Sequence, residues 1–137
     1  MTEGQSEARQ LEDHRDRRGW VVNPFEHLAE TGRVRRCHVF SIEPGYSRGG
    51  HLHPSANEEI IVLRGRLEVV CRPGGSRVLS GDRLQIVEIG QGVAHELHNR
   101  WEETAVAICW SSRCAGEDGP AAVRVAISDR GTSPEER

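Results

Sequence analysis

Apolar and polar residues alternate along short stretches of the chain from residue 33 onward, and turn-forming residues separate these stretches. Alternation with a period of two is typical of β-strands that bury one face, and clusters of Gly, Pro and Asn mark the turns between them. Strands at this spacing indicate an antiparallel sandwich or a closed barrel rather than a parallel sheet. We therefore predict an all-β single domain, with strands over 33–42, 58–65, 66–72, 77–80, 81–89, 93–99, 103–112 and 121–128.

The two ends of the chain differ from this pattern. Residues 1–18 are dense in charged side chains and nearly free of large apolar groups, and residues 129–137 are similar. Such segments bury too little apolar surface to offset the entropy lost on ordering. We predict a disordered segment over 1–18, a folded domain over 19–128 and a flexible tail over 129–137, with one short helix within 25–31.

Composition narrows the class of protein. The 137 residues carry 18 basic and 21 acidic side chains, and this net charge of −3 gives no electrostatic reason to expect nucleic-acid binding. No apolar run approaches the ~20 residues that cross a bilayer, and the N-terminus has no hydrophobic signal core. The 4 cysteines form no CxxC pair, which argues against a thiolate zinc site and, without an export signal, against disulfides. We expect a cytoplasmic protein that binds neither membranes nor nucleic acids.

The stretch RGGHLHPSANEE, residues 48–59, contains the candidate chemistry. On a strand His51 and His53 point to the same face, at roughly 6.6–7 Å along the backbone. The turn-forming residues that follow return the chain, so that Glu58 begins the next strand, and His95 begins a later one after a glycine-rich turn. A single histidine on a strand is usually solvated, but this conjunction favours one shared metal ion. Imidazole and carboxylate together suit divalent Fe, Mn, Ni or Zn.

These residues also carry a resemblance. The segment GHLHPSANEEIIVLRG, residues 50–65, resembles the first signature of the cupin superfamily at every position. The segment GDRLQIVEIGQGVAHELHN, residues 81–99, resembles the second, but has Gly90 where the family usually has proline and some extra residues before it. The resemblance covers about residues 33–112. It implies a small antiparallel jelly-roll barrel with a metal ion in its mouth, held by His51, His53, Glu58 and His95.

Two residues of the turn before the histidines are candidates for substrate binding. The guanidinium of Arg48 could bind a phosphate or carboxylate with two hydrogen bonds, or it could be a solvated turn residue. Tyr46, the one tyrosine of the chain, could serve as an acid or base, or it could pack within the turn. The sequence does not identify the general base.

The resemblance also suggests a function. PGYSRGGHLH and the late strand VAICWSS are similar to cupin domains that act on nucleotide-linked sugars in polysaccharide biosynthesis, which implies isomerisation or epimerisation beside a carbonyl. One alternative is a cupin cyclase or dioxygenase of polyketide or aromatic secondary metabolism. Another is a cupin that binds a metal and a small molecule without turnover. Cupins commonly pair through their outer sheet, so we expect a homodimer, with the strand over 121–128 as a candidate for exchange.

Overall fold

The computed structural model describes residues 6–26, 35–114 and 123–125, and eleven β-strands lie within these ranges. No helix among them is long and apolar enough to cross a membrane. The strands are β1 (Asp13–Asp16), β2 (Gly19–Val22), β3 (Arg35–Ile42), β4 (Ser47–Leu52), β5 (Glu58–Arg64), β6 (Arg66–Arg72), β7 (Gly75–Ser80), β8 (Ile86–Ile89), β9 (Ala94–His98), β10 (Ala105–Cys114) and β11 (Val123–Arg124).

The strands form two sheets. The six-stranded sheet has the order β1-β2-β3-β10-β5-β8, and the five-stranded sheet has the order β11-β4-β9-β6-β7. All the pairings are antiparallel. Several neighbours in the sheets are distant in sequence, such as β3 with β10 and β4 with β9. The chain therefore crosses between the two sheets repeatedly, and residues from distant segments meet between them.

The hydrophobic core lies between the two sheets. Alternate side chains of the strands point into it, as the period-two pattern requires. Burying one large aliphatic side chain contributes about 1.5–3 kcal/mol, so this layer supplies much of the stability of the fold. The buried cluster consists of Phe40, Ile42, Ile60, Val62, Leu67, Val69, Leu79, Ile89, Leu97, Ala105 and Ala107.

Asn99 fixes the turn that follows β9. Its Nδ2 group donates hydrogen bonds to the carbonyl oxygens of Ile42, at 2.8 Å, and Glu103, at 2.9 Å. Its Oδ1 atom accepts a 3.0 Å hydrogen bond from the backbone N–H of Trp101. The backbone N–H of Asn99 also donates to the carbonyl of Tyr46. A single amide that is 1% exposed thus joins the ends of three strands.

The predicted all-β architecture is confirmed. The strand predicted over 66–72 corresponds to β6, which has the same bounds. The strand predicted over 81–89 corresponds to β8, which begins only at Ile86 because residues 81–83 form a turn. The strand predicted over 121–128 includes β11, which pairs with β4 of its own chain.

Some predictions fall at the edges of the described residues. β1 lies inside the segment 1–18 for which the sequence predicts disorder; it is exposed along its whole length and is held by backbone pairing with β2. Most of the predicted helix and the whole predicted tail over 129–137 lie outside the described residues.

Candidate metal centre and cavity

Three of the four predicted metal ligands meet between the sheets. Nε2 of His53 lies 2.9 Å from Oε2 of Glu58, and Nε2 of His95 lies 3.1 Å from Oε1 of the same carboxylate. The two imidazole rings stack with centroids 5.5 Å apart. One nitrogen or oxygen atom from each residue lies within 4.8 Å of the others. Donor atoms that surround one ion at ~2.0–2.2 Å lie about 3–4 Å from one another, so the three side chains could hold a metal ion after small adjustments.

Two consecutive glycines direct the histidine segment toward the cavity. Gly49 and Gly50 have φ angles of +113° and +78°, which L side chains rarely adopt. At Gly49 a Cβ atom would lie 2.8 Å from the carbonyl oxygen of His95. The register of β4 against β9 shifts at this point, so that His51 pairs with His95. The bulge places the histidines of β4 and β9 side by side.

The turns around the cluster are also tied together. The backbone N–H of Gly92 donates a 2.8 Å hydrogen bond to the carbonyl of His53. The side chain of Asn57 accepts a 3.1 Å hydrogen bond from the N–H of Gln91. These bonds connect the β4–β5 turn with the β8–β9 turn. His53 and His95 therefore keep their separation even though they lie 42 positions apart in the sequence.

The hydrogen bonds of His95 favour a cation in the cluster. Nδ1 of His95 lies 3.2 Å from the carbonyl of Val93 and donates to it in the corresponding tautomer. That tautomer presents the lone pair of Nε2 to the carboxylate of Glu58. Two acceptors that face each other at 3.1 Å require a proton or a metal ion between them. Ligand histidines in metal sites usually donate their second N–H to a carbonyl in this way.

Burial by itself would raise the pKa of Glu58, but the adjoining imidazoles of His53 and His95 outweigh it and lower the pKa to about 2. Glu58 is therefore an ionised carboxylate at neutral pH, which is the form that binds metals.

His51 lies beside the cluster but is not one of the three converging residues. It lines the same cavity as His53, Glu58 and His95. Burial lowers the pKa of His51, and the charge of Arg124 lowers it further. Its imidazole is therefore neutral at neutral pH.

The cluster opens into a cavity of about 350 Å³ whose walls are rich in arginine. Arginines line it from the β1–β2 turn, from β3, from β4 and from β11. Among the described residues that line the cavity, Glu58 alone is acidic. Such an excess of positive charge around a partly enclosed space attracts anions. The four cations are Arg18, Arg36, Arg48 and Arg124.

Arg48 is the most constrained of these arginines. Its Nε donates a 3.1 Å hydrogen bond to the carbonyl of Ser41. Its Nη2 atom is buried and has no hydrogen-bond partner among the residues that the structure describes. Burial and the nearby charge of Arg18 lower the pKa of Arg48, and Asp16 partly opposes them. An unpaired buried donor is costly, and a bound anion would supply its missing partner.

Tyr46 occupies a different place from Arg48. Its side chain packs against the hydrophobic core and is not among the residues that line the cavity. Its backbone N–H donates to the carbonyl of Glu43, and its carbonyl accepts from the N–H of Asn99. The structure thus places the side chain of Tyr46 against the core, outside the lining of the cavity.

Among the cavity residues that the sequence predictions missed are three arginines and one histidine: Arg18, Arg36, Arg124 and His38. A signal for two of them was present. Arg36 and His38 alternate with Phe40 along β3, and Phe40 belongs to the core, so period two places all three on one face. Arg18 lies in the turn between β1 and β2, and Arg124 lies in the two-residue β11, where the sequence does not show which side chains point into the cavity.

Comparison with known proteins agrees with this description. Residues 14–121 match the family model described as polysaccharide biosynthesis C-terminal domain. A Pseudomonas aeruginosa (strain PA103) protein, UDP-2-acetamido-2,6-beta-L-arabino-hexul-4-ose reductase, is 28% identical over 112 residues, which cover 78% of this chain and 29% of that protein.

Solved structures show the same fold. The capsular polysaccharide assembling protein CapF from Staphylococcus aureus is similar with a TM-score of 0.71 and 22% identity, over 88% of this chain and 33% of CapF. A cupin-superfamily sugar phosphate isomerase from Silicibacter pomeroyi is similar with a TM-score of 0.60 and 17% identity, over 76% of this chain and 72% of that one. The chain thus has the predicted cupin jelly-roll fold, and it spans about a third of the length of the reductase and of CapF.

Proposed function

Since the chain belongs to the polysaccharide biosynthesis C-terminal domain family, we propose that it is a metal-dependent cupin enzyme that isomerises or epimerises a nucleotide-linked sugar beside a carbonyl group. The observation that carries this proposal is the position of the His53, Glu58 and His95 cluster in a cavity lined by four arginines. A metal-binding group and an anion-binding wall then face the same small molecule.

The donor set supports a divalent transition metal. Two imidazoles and one carboxylate fit Zn, Fe, Mn or Ni, and His51 is our proposed fourth ligand because it lines the cavity beside His95. A bound divalent ion would polarise the substrate carbonyl and stabilise the charge that develops on its oxygen when the neighbouring C–H loses its proton. Ionised Glu58 would neutralise part of the charge of such an ion and help to hold it.

The arginines support a phosphorylated substrate. A guanidinium binds phosphate oxygens with two parallel hydrogen bonds, and Arg48 has a buried Nη2 atom with no partner among the described residues. Arg18 lies close enough to lower the pKa of Arg48 but is already paired with Asp16 at 2.6 Å, so Arg48 would be the main partner of a bound anion. The diphosphate of a nucleotide-linked sugar is such an anion.

The apolar side chains would have a separate role. Val21, Phe40 and Leu97 line the same cavity, and a wall of this kind excludes water around the reacting carbon. Water exclusion strengthens each electrostatic interaction in the site.

The name of the Pseudomonas relative describes a reductase of a UDP-linked keto sugar. This chain aligns with 29% of that relative, so the shared part supports the substrate class rather than the reduction.

The proposal can be tested with the UDP-linked 2-acetamido-hexul-4-ose as a probe. Protein purified without added metal is first examined by elemental analysis and then incubated with the probe in D₂O without oxygen. We expect a bound transition metal and incorporation of deuterium at the carbon next to the carbonyl, well above the rate without protein. Glu58→Gln should lose both properties.

Other outcomes would contradict the proposal in different ways. Binding of the probe without deuterium exchange would indicate the non-catalytic alternative. A bound iron together with oxygen consumption on an aromatic substrate would indicate the dioxygenase alternative. Protein that holds no metal and exchanges no deuterium would refute the proposal as a whole.

A further inference from the structure

His38 faces the cavity from the wall that carries neither of the clustered histidines. It lies on β3 of the six-stranded sheet and pairs in register with Cys109 of β10. His95 lies on β9 of the five-stranded sheet, and His53 follows β4 of that sheet. His38 is exposed to the cavity, whereas His95 is buried. His38 and the two clustered histidines therefore line the cavity from different sheets, whereas Glu58 lies on the same sheet as His38.

His38 differs from the other titratable residues of the cavity, because their side chains belong to the cluster or stay protonated. His53 and His95 are both engaged by Glu58. Burial, reinforced by the charge of Glu58, raises the pKa of Cys109 well above its usual value, so this thiol stays protonated. The arginines hold their protons and cannot accept another. His51 adjoins the cluster and is the proposed fourth ligand, which leaves His38 as a base outside the cluster among the described residues of the cavity.

His38 is also in the correct state to accept a proton. Partial desolvation by the cavity wall lowers its pKa, the nearby carboxylate of Glu58 partly opposes this effect, and the charge of His53 lowers the pKa further. The imidazole is therefore neutral at neutral pH, with one ring nitrogen free to accept. A neutral histidine close to its substrate is the commonest general base in enzymes.

We propose that His38 is the catalytic base that moves the proton at the carbon next to the substrate carbonyl, an inference that rests on the proposed function. In this step a ring nitrogen of His38 takes the proton, the C–H electron pair forms a carbon–carbon double bond, and the carbonyl π pair moves to oxygen. Return of a proton to the same carbon, on either face, restores the C–H bond and the carbonyl. No oxidant or other reactant is consumed.

The main test is deuterium exchange by His38→Gln with the UDP-linked 2-acetamido-hexul-4-ose in D₂O. We expect the exchange rate to fall at least 100-fold while the metal content and the affinity for UDP stay within about twofold of the wild type. The matched control is His14→Gln, because His14 is an exposed histidine of β1. This variant should catalyse deuterium exchange at the wild-type rate. In His38→Ala, added imidazole should restore part of the exchange rate without changing the metal content.

A second measurement requires no turnover. Diethyl pyrocarbonate modifies accessible neutral imidazoles, and the sites are mapped by mass spectrometry on the metal-free protein. UDP-linked sugar should protect His38 at least fivefold and leave His14 unprotected. Equal modification of His38 with and without the sugar would show that the ligand does not reach it, and would overturn the inference.

The outcomes separate the two proposals. Wild-type exchange that His38→Gln retains would overturn the role of His38 and leave the proposed function standing. Absence of exchange in the wild type would refute the proposed function and, with it, the role of His38. If His38→Gln does not fold, failure of imidazole to rescue a folded His38→Ala would overturn the inference.

Discussion

Replacement of Asn99 by alanine should destabilise the domain more than any substitution at its surface. The amide of Asn99 satisfies the carbonyls of Ile42 and Glu103 and the N–H of Trp101, through hydrogen bonds of 2.8, 2.9 and 3.0 Å. Asn99 is 1% exposed, so water cannot readily replace the lost side chain. Alanine would leave two carbonyl groups and one N–H group without these partners.

The magnitude follows from the three orphaned groups. A buried donor or acceptor that loses its partner costs about 1–3 kcal/mol, and costs at neighbouring sites are not fully additive. We expect a loss of about 3–5 kcal/mol in the free energy of unfolding, against a total of ~5–15 kcal/mol for a typical domain. Asn99→Asp should be at least as damaging, because it directs a carboxylate oxygen at the two carbonyls.

Urea denaturation followed by circular dichroism measures this loss. With a denaturant slope of about 2 kcal/mol/M, the midpoint should fall by about 2 M in Asn99→Ala. The matched control is Asn23→Ala, which removes one exposed hydrogen bond to the N–H of Phe25 and should cost about 0.5 kcal/mol or less. A loss below ~1 kcal/mol for Asn99→Ala, at an unchanged slope, would refute the argument that this amide joins the strand ends.

Three further predictions concern the cavity. His53→Ala should lose most of the metal bound by the wild type, because it removes one of the three converging donors; unchanged metal by elemental analysis would exclude this cluster as the metal site. Arg48→Gln should raise the Kd for UDP by about tenfold or more in calorimetry, since it removes a charged hydrogen bond. The control Arg77→Gln changes an exposed arginine and should leave the Kd unchanged. Equal affinities of Arg48→Gln and the wild type for UDP would contradict anion binding by the arginines of the cavity. The lowered pKa of Glu58 stabilises the metal-free fold above about pH 4.5, and this contribution is lost as the pH falls toward 2. Glu58→Gln should therefore unfold less steeply across that range in acid titrations, and an identical profile would contradict the lowered pKa.

Much of the fold could be predicted from the sequence because alternation reports burial on one face. β5 and β6 have clear alternation, and their bounds agree with the predictions to within one residue. β1 and β2 were missed because β1 is exposed throughout and β2 only partly buried, so neither carries a strong apolar period. β4 begins at Ser47, although its glycine-rich sequence suggests a turn there. Gly49 and Gly50 form a bulge within the strand instead.

The residues of the candidate site also divide into those that the sequence could predict and those that it could not. His53 and Glu58 were predictable because their spacing encodes a strand, a turn and a return strand, and His95 because it begins a later strand after a glycine-rich turn. Arg18 and Arg124 were not, since only the pairing of β2 with β3 and of β11 with β4 brings them to the cavity. Nothing in the local sequence of either residue records that pairing.

The cluster draws its members from both layers of the sandwich: Glu58 from the six-stranded sheet, and His95 from the five-stranded one. An ion held there would act as a cross-link between the layers, and its binding energy would add to the cohesion of the fold. At a metal concentration 100 times the Kd, this addition amounts to about 2.7 kcal/mol. The melting temperature should then rise with metal loading and fall with a chelator, so that a thermal scan reports occupancy before any substrate has been identified.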